Sequence, residues 1–445
     1  MPLSGIGRVP VVPGREIRSE QLDAITLDVP LTRGLGRSYG DASLPAAPDT
    51  IVAGSSLADR ILDFSAETGV LRAEAGLSLD ELYRALLPRG WFTPVTPGTR
   101  FVTLGGMVAA DVHGKNHHRA GCFGQHVRSI TLRVADGRIV TCSPAIEPDL
   151  FRATLGGMGL TGHILEVTVQ LERVPTPWIA ERTSAIRDID AFVDALRDAA
   201  ATWPMTVGWI DCVSRGPALG RGILFGGRWA EPDEAPAEFP VLRRPVGVPV
   251  TPPVSLVQPF AVRMMNGAYY RYHARRARVS QSHGARAHVV PPASFFYPLD
   301  AIGSWWRLYG PRGFIQYQCV LPYSVGNRGV RDFLQVVSRR GQSSFLCVIK
   351  DCGEEGIGLL SFPKRGISIA LDMPFQDHSQ RLVDEMNELV IAAAGRVYLA
   401  KDALSRAEHV RAMDGDRIER FLEVRRAWDP RGRIRSALSV RLFGW

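Results

Sequence analysis

Gly34-Leu35-Gly36-Arg37-Ser38-Tyr39-Gly40-Asp41 decides how this chain is read. Two further glycine-rich turns follow within the first third of its 445 residues. Pro97-Gly98-Thr99 leads into Thr103-Leu104-Gly105-Gly106, and Asp111-Val112-His113-Gly114-Lys115-Asn116-His117-His118 comes after it. Each turn closes an apolar, strand-like run. Glycine tolerates positive φ and close backbone approach, so such turns bring main-chain N–H groups against a large anionic ligand. Three of them in order predict a bound dinucleotide.

Two nearby patterns suggest other chemistry and fail on context. Gly157-Met158-Gly159-Leu160-Thr161-Gly162 satisfies G-x-G-x-x-G, but a nicotinamide site needs a helix after it, and His163–Arg173 alternates as a strand. Gly36-Arg37-Ser38-Tyr39-Gly40 satisfies G-x-S-x-G, yet a nucleophile elbow must lead into a helix, and Asp41–Asp49 contains Pro45 and Pro48. His113, His117 and His118 have only Asp111 nearby at ligand spacing, so no metal is predicted.

The length exceeds what one core usually holds and predicts two or three domains. At 45% hydrophobic and 22% charged residues, with 44 Gly and 31 Pro, the composition is that of a turn-rich globular enzyme. No apolar run approaches the roughly eighteen residues of a membrane span. The first residues lack a secretory pattern, so a cytoplasmic location is expected. Six cysteines without a C-x-x-C predict reduced thiols. The net charge of +8 favours anionic partners in general. Arg271, Arg275, Arg276, Arg278 and Arg286 follow the apolar stretch Val254–Met265 without an acidic residue between His273 and His288, which suits an anionic lipid surface or a phosphate-bearing substrate. The later cluster from Arg417 to Arg435 is interleaved with acids and reads as solvated helix. Nucleic acid is not predicted as a partner, because base-stacking aromatics are sparse and no recognition module is visible.

Periodicity predicts a strand over 70–76, a helix over 79–87 capped by Ser78, a helix starting at Thr103, and a hairpin over 129–143 turning at Asp136-Gly137. After Pro175 and Pro177 the texture changes. Strands are expected over 206–211, 314–321, 344–349 and 367–372, with helices over 188–200, 330–339 and 379–394. That is an antiparallel sheet with helices on one side, an α+β arrangement. From about Asp402 the tail is expected to be helical and to return to the first domain.

The run from Thr32 to Val169 resembles the flavin-binding domain of the vanillyl-alcohol-oxidase-type FAD enzymes. Its wording, RGLGRSYGD (Arg33–Asp41), PGT with TLGG, DVHGKNHH and AGCFGQHVRS, is similar to the furanose-oxidising branch of that family, the oxidase subunits of decaprenylphosphoryl-β-D-ribose 2′-epimerases. Ser294-Phe295-Phe296-Tyr297-Pro298-Leu299-Asp300, Gly313-Phe314-Ile315-Gln316-Tyr317-Gln318 and Tyr398-Leu399-Ala400-Lys401-Asp402 extend the likeness over most of the chain. It implies a two-domain FAD-linked oxidase fold: an FAD-binding domain over 1–177 of the PCMH type, a substrate-binding domain over 178–395, and a segment over 396–445 returning to the first.

The resemblance also implies the site. Arg33, Gly34, Leu35, Gly36, Arg37, Ser38, Tyr39, Gly40 and Asp41 would wrap the FAD pyrophosphate. Gly98, Thr103, Leu104, Gly105, Gly106, Ala110, Asp111, Val112, His113, Ile164 and Tyr398 would line the rest of the cofactor. Arg37 stands where covalent relatives carry a flavin-linked histidine, so the FAD is expected to be non-covalent. For the substrate the implied residues are Tyr39, His113, Trp209, Gln316, Gln318, Lys350, Asp372 and Lys401. Lys401 is expected nearest the reacting hydroxyl, as an ammonium stabilising alkoxide or as a neutral amine accepting the proton, with Tyr39 and His113 as further candidates.

The implied reaction is oxidation of a secondary furanose hydroxyl to a ketone, the first half of a 2′-epimerisation. A prenylphosphoryl sugar substrate, an NAD(P)H-dependent keto-reductase partner and peripheral membrane contact go with it. This sequence departs from that pattern in a shorter segment before Leu31, in Ala370 at a position often held by cysteine, in Phe296 where tyrosine is usual and in Ala437 in place of aspartate. These departures leave an alternative in view, a soluble glycoside, nucleoside or alditol as substrate.

Overall fold

The computed structural model of the chain describes every residue except 1, 243, 283–286 and 341–343. Arg286 of the basic cluster therefore lies outside the described residues. The first part of the chain builds two sheets. A mixed sheet runs in the order Pro2–Ser4, Val11–Arg18, Thr50–Gly54, Thr32–Arg33, with the last three parallel. The shorter segment before Leu31 thus keeps two strands and a single helical turn, Leu22–Ile25. An antiparallel sheet follows in the order Ile61–Phe64, Val70–Glu74, His163–Gln170, Val127–Arg133, Ile139–Cys142.

Local chemistry explains how the glycine turns are placed against that second sheet. Ser78 and Glu81 cap the helix Leu79–Leu86 reciprocally, and its Leu79, Leu82 and Leu86 are buried in one core with Leu71, Ala73 and Val167. Thr103 caps Leu104–Ala109 by accepting from the Gly106 N–H at 3.1 Å. A Cβ on Gly105 would stand 2.9 Å from that of Ala75, so glycine alone lets this helix start lie flat on the strand end. The strand expected over 163–173 divides after Gln170, because the Leu171 N–H is diverted to the Gly69 carbonyl at 2.8 Å.

The second part is an eight-stranded sheet in the order His288–Val290, Ile179–Ile186, Gly222–Trp229, Met205–Ile210, Cys347–Cys352, Gly366–Pro374, Phe314–Pro322, Arg396–Val397. All of its pairings are antiparallel. Helices Ile189–Thr202, Gly326–Arg339 and Ser379–Ala392 bury Phe192, Phe333 and Met386 in one core with Tyr317, Cys319, Ile349, Ile369 and Leu371. Side chains alternate along a strand, so the intervening residues Gln316, Gln318, Lys350, Ser368, Ala370 and Asp372 share the opposite face. Register sets Gln316 against Asp372, Gln318 against Ala370, and Lys350 against Ser368. The strand expected over 344–349 begins later, at Cys347, because the Ser344 hydroxyl bonds both the N–H and the carbonyl of Leu346 and holds a turn there. The helix expected from Val330 starts one turn earlier, at Gly326, and the Asn327 amide on that turn reaches Asp194 at 2.9 Å.

The last segment supplies helices Ala407–Trp428 and Ala437–Phe443. Arg441 on the second donates to Asp41 at 2.7 and 2.8 Å and to Asp402 at 2.9 Å. The end of the first glycine turn and the residue after Lys401 are thereby tied to one guanidinium. Both carboxylates are buried, and removing their shared partner strands two charges. Arg441→Ala is expected to cost about 3–5 kcal/mol of unfolding free energy, read as a lower denaturation midpoint; an unchanged midpoint would show that the knot is energetically idle.

Candidate active site

The three glycine turns and the polar face of the large sheet enclose a cavity of about 1640 Å³. Pockets for a single drug-sized ligand run to roughly 300–1,000 Å³, so this one has room for a dinucleotide and a second molecule. The first turn lines it with Gly34, Leu35, Gly36, Arg37, Ser38 and Tyr39. The second contributes Gly98, Thr103, Gly105 and Gly106, the third Ala110, Val112 and His113, and Ile164 and Tyr398 complete that end. From Leu35 to Ser38, no main-chain N–H finds a main-chain acceptor among the described residues. Gly36 holds φ +65°, and a Cβ at Gly98 would meet nothing within 4 Å. This is an amide-rich cradle with open space before it, which fits an anionic diphosphate.

Trp209, Gln316, Lys350 and Lys401 line the other end. Trp209 is fixed by its indole N–H to the Phe345 carbonyl at 2.9 Å and packs on Tyr269 with centroids 4.6 Å apart. The Lys401 ammonium sits 5.6 Å from the centre of the Tyr39 ring, and the Tyr39 N–H is bonded to the Ala400 carbonyl at 3.0 Å. Burial, reinforced by Lys350 and opposed by Asp372, brings Lys401 down to about 7. Burial also lowers Lys350. His113 is pushed well below its usual value by burial and then by Lys350, so its imidazole is neutral. Its Nε2 is 2.9 Å from the Gln318 amide nitrogen, its Nδ1 has no partner among the described residues, and its ring lies 5.1 Å from Tyr398 and 5.3 Å from Phe362. Tyr39 is raised by burial and by Asp372 and stays a neutral phenol.

Seven expected residues stand behind the lining. Arg33 turns to the Ser4 and Ser43 carbonyls at 2.6 and 3.2 Å. Gly40 lies against the Asp402 carbonyl, where a Cβ would clash at 1.8 Å, and Asp41 is held by Arg441. Leu104 is core. Asp111 accepts from the Gly124 N–H at 2.7 Å and from the Ser361 hydroxyl. Gln318 braces His113 and Ser368, and Asp372 accepts from the Gln316 amide. Burial raises Asp372 to about 7, against Gln316 and Lys401. The three histidines face different partners: His117 Nδ1 accepts from the Gly353 N–H at 3.1 Å, and His118 lies 3.0 Å from the Trp203 carbonyl.

Sequence reasoning missed Met158, Gly159, Gly162, Lys115 and Glu181, all of which line the cavity. The first three belong to the G-x-G-x-x-G run set aside as a nicotinamide motif, and positive φ at Met158, Gly159 and Gly162 turns it into the cavity wall without any helix after it. Lys115 belongs to the third glycine turn. It donates to the Phe295 carbonyl, stands 4.4 Å from that ring, and is lowered to about 7 by burial.

Residues 28–143 match the family model described as an FAD binding domain. With this fold and cavity, the chain is an FAD-dependent oxidoreductase acting on CH–OH groups, and FAD is its cofactor. Over 426 residues it is 35% identical to decaprenylphosphoryl-beta-D-ribose oxidase of Mycolicibacterium smegmatis, a match covering 93% of this chain and 88% of that protein. The chain belongs to that family. It is also 34% identical to an uncharacterized protein of Streptomyces coelicolor, over 82% of this chain and all of that one. A partial likeness, 28% over 35% of the chain and 29% of the relative, links it to a putative D-arabinono-1,4-lactone oxidase of Neurospora crassa.

Arg37 lies on the cavity wall with its Nε bonded to the Phe101 carbonyl at 3.1 Å, and a guanidinium offers no nucleophile for a flavin link. Acid precipitation of the holoprotein is therefore expected to release all flavin into the supernatant. Flavin retained on the pellet, mapped to His113 by peptide analysis, would contradict a dissociable cofactor.

Proposed function

We propose that the chain oxidises the ribose 2′-hydroxyl of a prenylphosphoryl ribose to the ketone. The observation that carries this reading is Lys401, an amine poised near neutrality beside the Tyr39 ring on the wall of a two-ligand cavity. FAD, when bound, supplies the two-electron oxidant for the carbinol carbon. The residues proposed to hold it are Gly34 to Ser38, Gly98, Thr103, Gly105, Gly106, Ala110, Val112, Ile164 and Tyr398. Residues 1–177 would serve the cofactor, 178–395 the substrate, and 396–445 would bind the two together.

Lys401 accepts the hydroxyl proton in its neutral form. Tyr39 and neutral His113 orient the sugar, with Gln318 positioning the imidazole and Asp372 with Gln316 setting the field at Lys401. Lys350 meets a sugar hydroxyl or the phosphate, and Trp209 gives the furanose an apolar wall. Likeness along nearly the full length of a lipid-linked-ribose oxidase favours this substrate over a soluble glycoside. The keto product carries no stereocentre at the oxidised carbon, so net epimerisation needs a separate NAD(P)H-dependent reductase delivering hydride to the other face. A prenyl chain would keep the working enzyme in peripheral contact with a membrane.

Because an amine accepts a proton only when neutral, kcat/KM is expected to rise with pH through about 7 and level off above it. Asp372→Asn removes the carboxylate that raises Lys401, so the rising limb moves to lower pH. Lys401→Ala abolishes the limb and slows anaerobic flavin bleaching by about 10²–10⁴-fold while leaving the bound-flavin spectrum intact. Bleaching at the native rate in that variant would remove Lys401 from the reaction.

A further inference from the structure

Between Glu238 and Asp300 the chain has eight arginines and no acidic residue. Within that stretch lie many of the molecule's most exposed large apolar side chains: Val246 at 78%, Val254 at 65%, Phe260 at 73% and Met264 at 58%. A surface that joins apolar area to unopposed positive charge is the chemistry that binds anionic bilayers. The helix Pro259–Ser282 organises it. Phe260, Met264, Ala268 and Tyr272, four residues apart, are exposed on one face with Arg263 and Arg271 beside them. Val262, Asn266, His273 and Ala277 line the cavity from the other. Upstream, Val246–Gly247 is pinned by parallel pairing to Ile302–Gly303.

The patch and the cavity mouth coincide. Leu256, Met265, Tyr269 and Ile302 are exposed and also line the cavity, so they form its rim. A second copy of the chain suits this face poorly, because self-complementary pairing would set arginine against arginine in a stretch that carries no acidic residue of its own.

We propose that residues 244–278 dock on an anionic lipid bilayer and seat the cavity rim against it, so that a lipid-linked sugar enters from the membrane surface. This rests on the prenylphosphoryl-sugar reading only for the identity of what enters; the docking itself does not depend on it.

The test is sedimentation of the holoenzyme with vesicles of phosphatidylcholine alone or mixed with phosphatidylglycerol. Binding is expected only to the anionic vesicles and is expected to weaken with salt. Phe260→Ser with Met264→Ser should weaken it about tenfold or more, and Arg263→Glu with Arg271→Glu at least about fivefold per arginine. None of the four side chains lines the cavity, so flavin reduction by a short-chain, water-soluble prenylphosphoryl ribose should be unchanged in every variant. Equal binding to neutral vesicles, variants that bind like the native protein, or variants that alter only the oligomeric state would overturn the proposal. Retained vesicle binding without reduction by the short-chain substrate would support docking and count against the substrate instead.

Discussion

The placement of two lysines inside one cavity wall is the constraint on which the rest of this structure depends. Lys350 and Lys401 repel each other, and among the described residues neither has a carboxylate within ion-pair distance; Asp372, the acid that acts on Lys401, is itself engaged by Gln316. Isolated charges in such a place are expensive, and burial drives the amines toward neutrality instead. The fold must therefore supply the surplus stability from elsewhere. Much of it comes from the apolar face of the eight-stranded sheet, where three helices cover side chains that alternate with the polar row.

The same constraint explains why the chain's last helix matters to its first glycine turn. Lys401 sits in a short turn, Leu399–Lys401, bracketed by the Tyr39 N–H on one side and the Asp402 carboxylate on the other. Arg441 gathers Asp402 and Asp41 and so fixes the distance between the amine and the amide cradle. The roles proposed for Lys401 and for the amide cradle need such a tie, because a small displacement between a reacting group and its cofactor degrades catalysis steeply. His113 gains a similar fixity from Gln318, reaching from the large sheet to the third glycine turn.

Much of this was legible in the amino-acid order because it rests on local demands. Gly36 and Gly105 announce themselves by what a Cβ would do there, and Ser78 and Thr103 mark helix starts by cap chemistry that needs only three residues. Gln316 and Gln318 read as one face because a strand alternates. The rest was hidden for equally physical reasons. The Arg441 to Asp41 contact spans 400 residues and leaves no local trace. Met158, Gly159 and Gly162 belong to a run that leads into a strand, which argued against a nicotinamide role, yet their backbone still shapes the wall. Asp111 and Asp41 look like ligands in their motifs and are instead held by Gly124 and Arg441, since polar residues at a motif's end serve packing as readily as binding. The Ser344 turn delayed a strand that its neighbours' β-propensity favours.

On the proposed function, this cavity brings the ribose 2′ C–H of a prenylphosphoryl sugar to an FAD held by the glycine turns. That role is tested most directly by anaerobic stopped-flow reduction of the holoenzyme with prenylphosphoryl-β-D-ribose carrying deuterium at C2 of the ribose. Loss of flavin absorbance is expected to be slowed by the label at C2 and unaffected by deuterium at C3. Bleaching indifferent to the C2 label, or bleaching by soluble sugars alone, would contradict it.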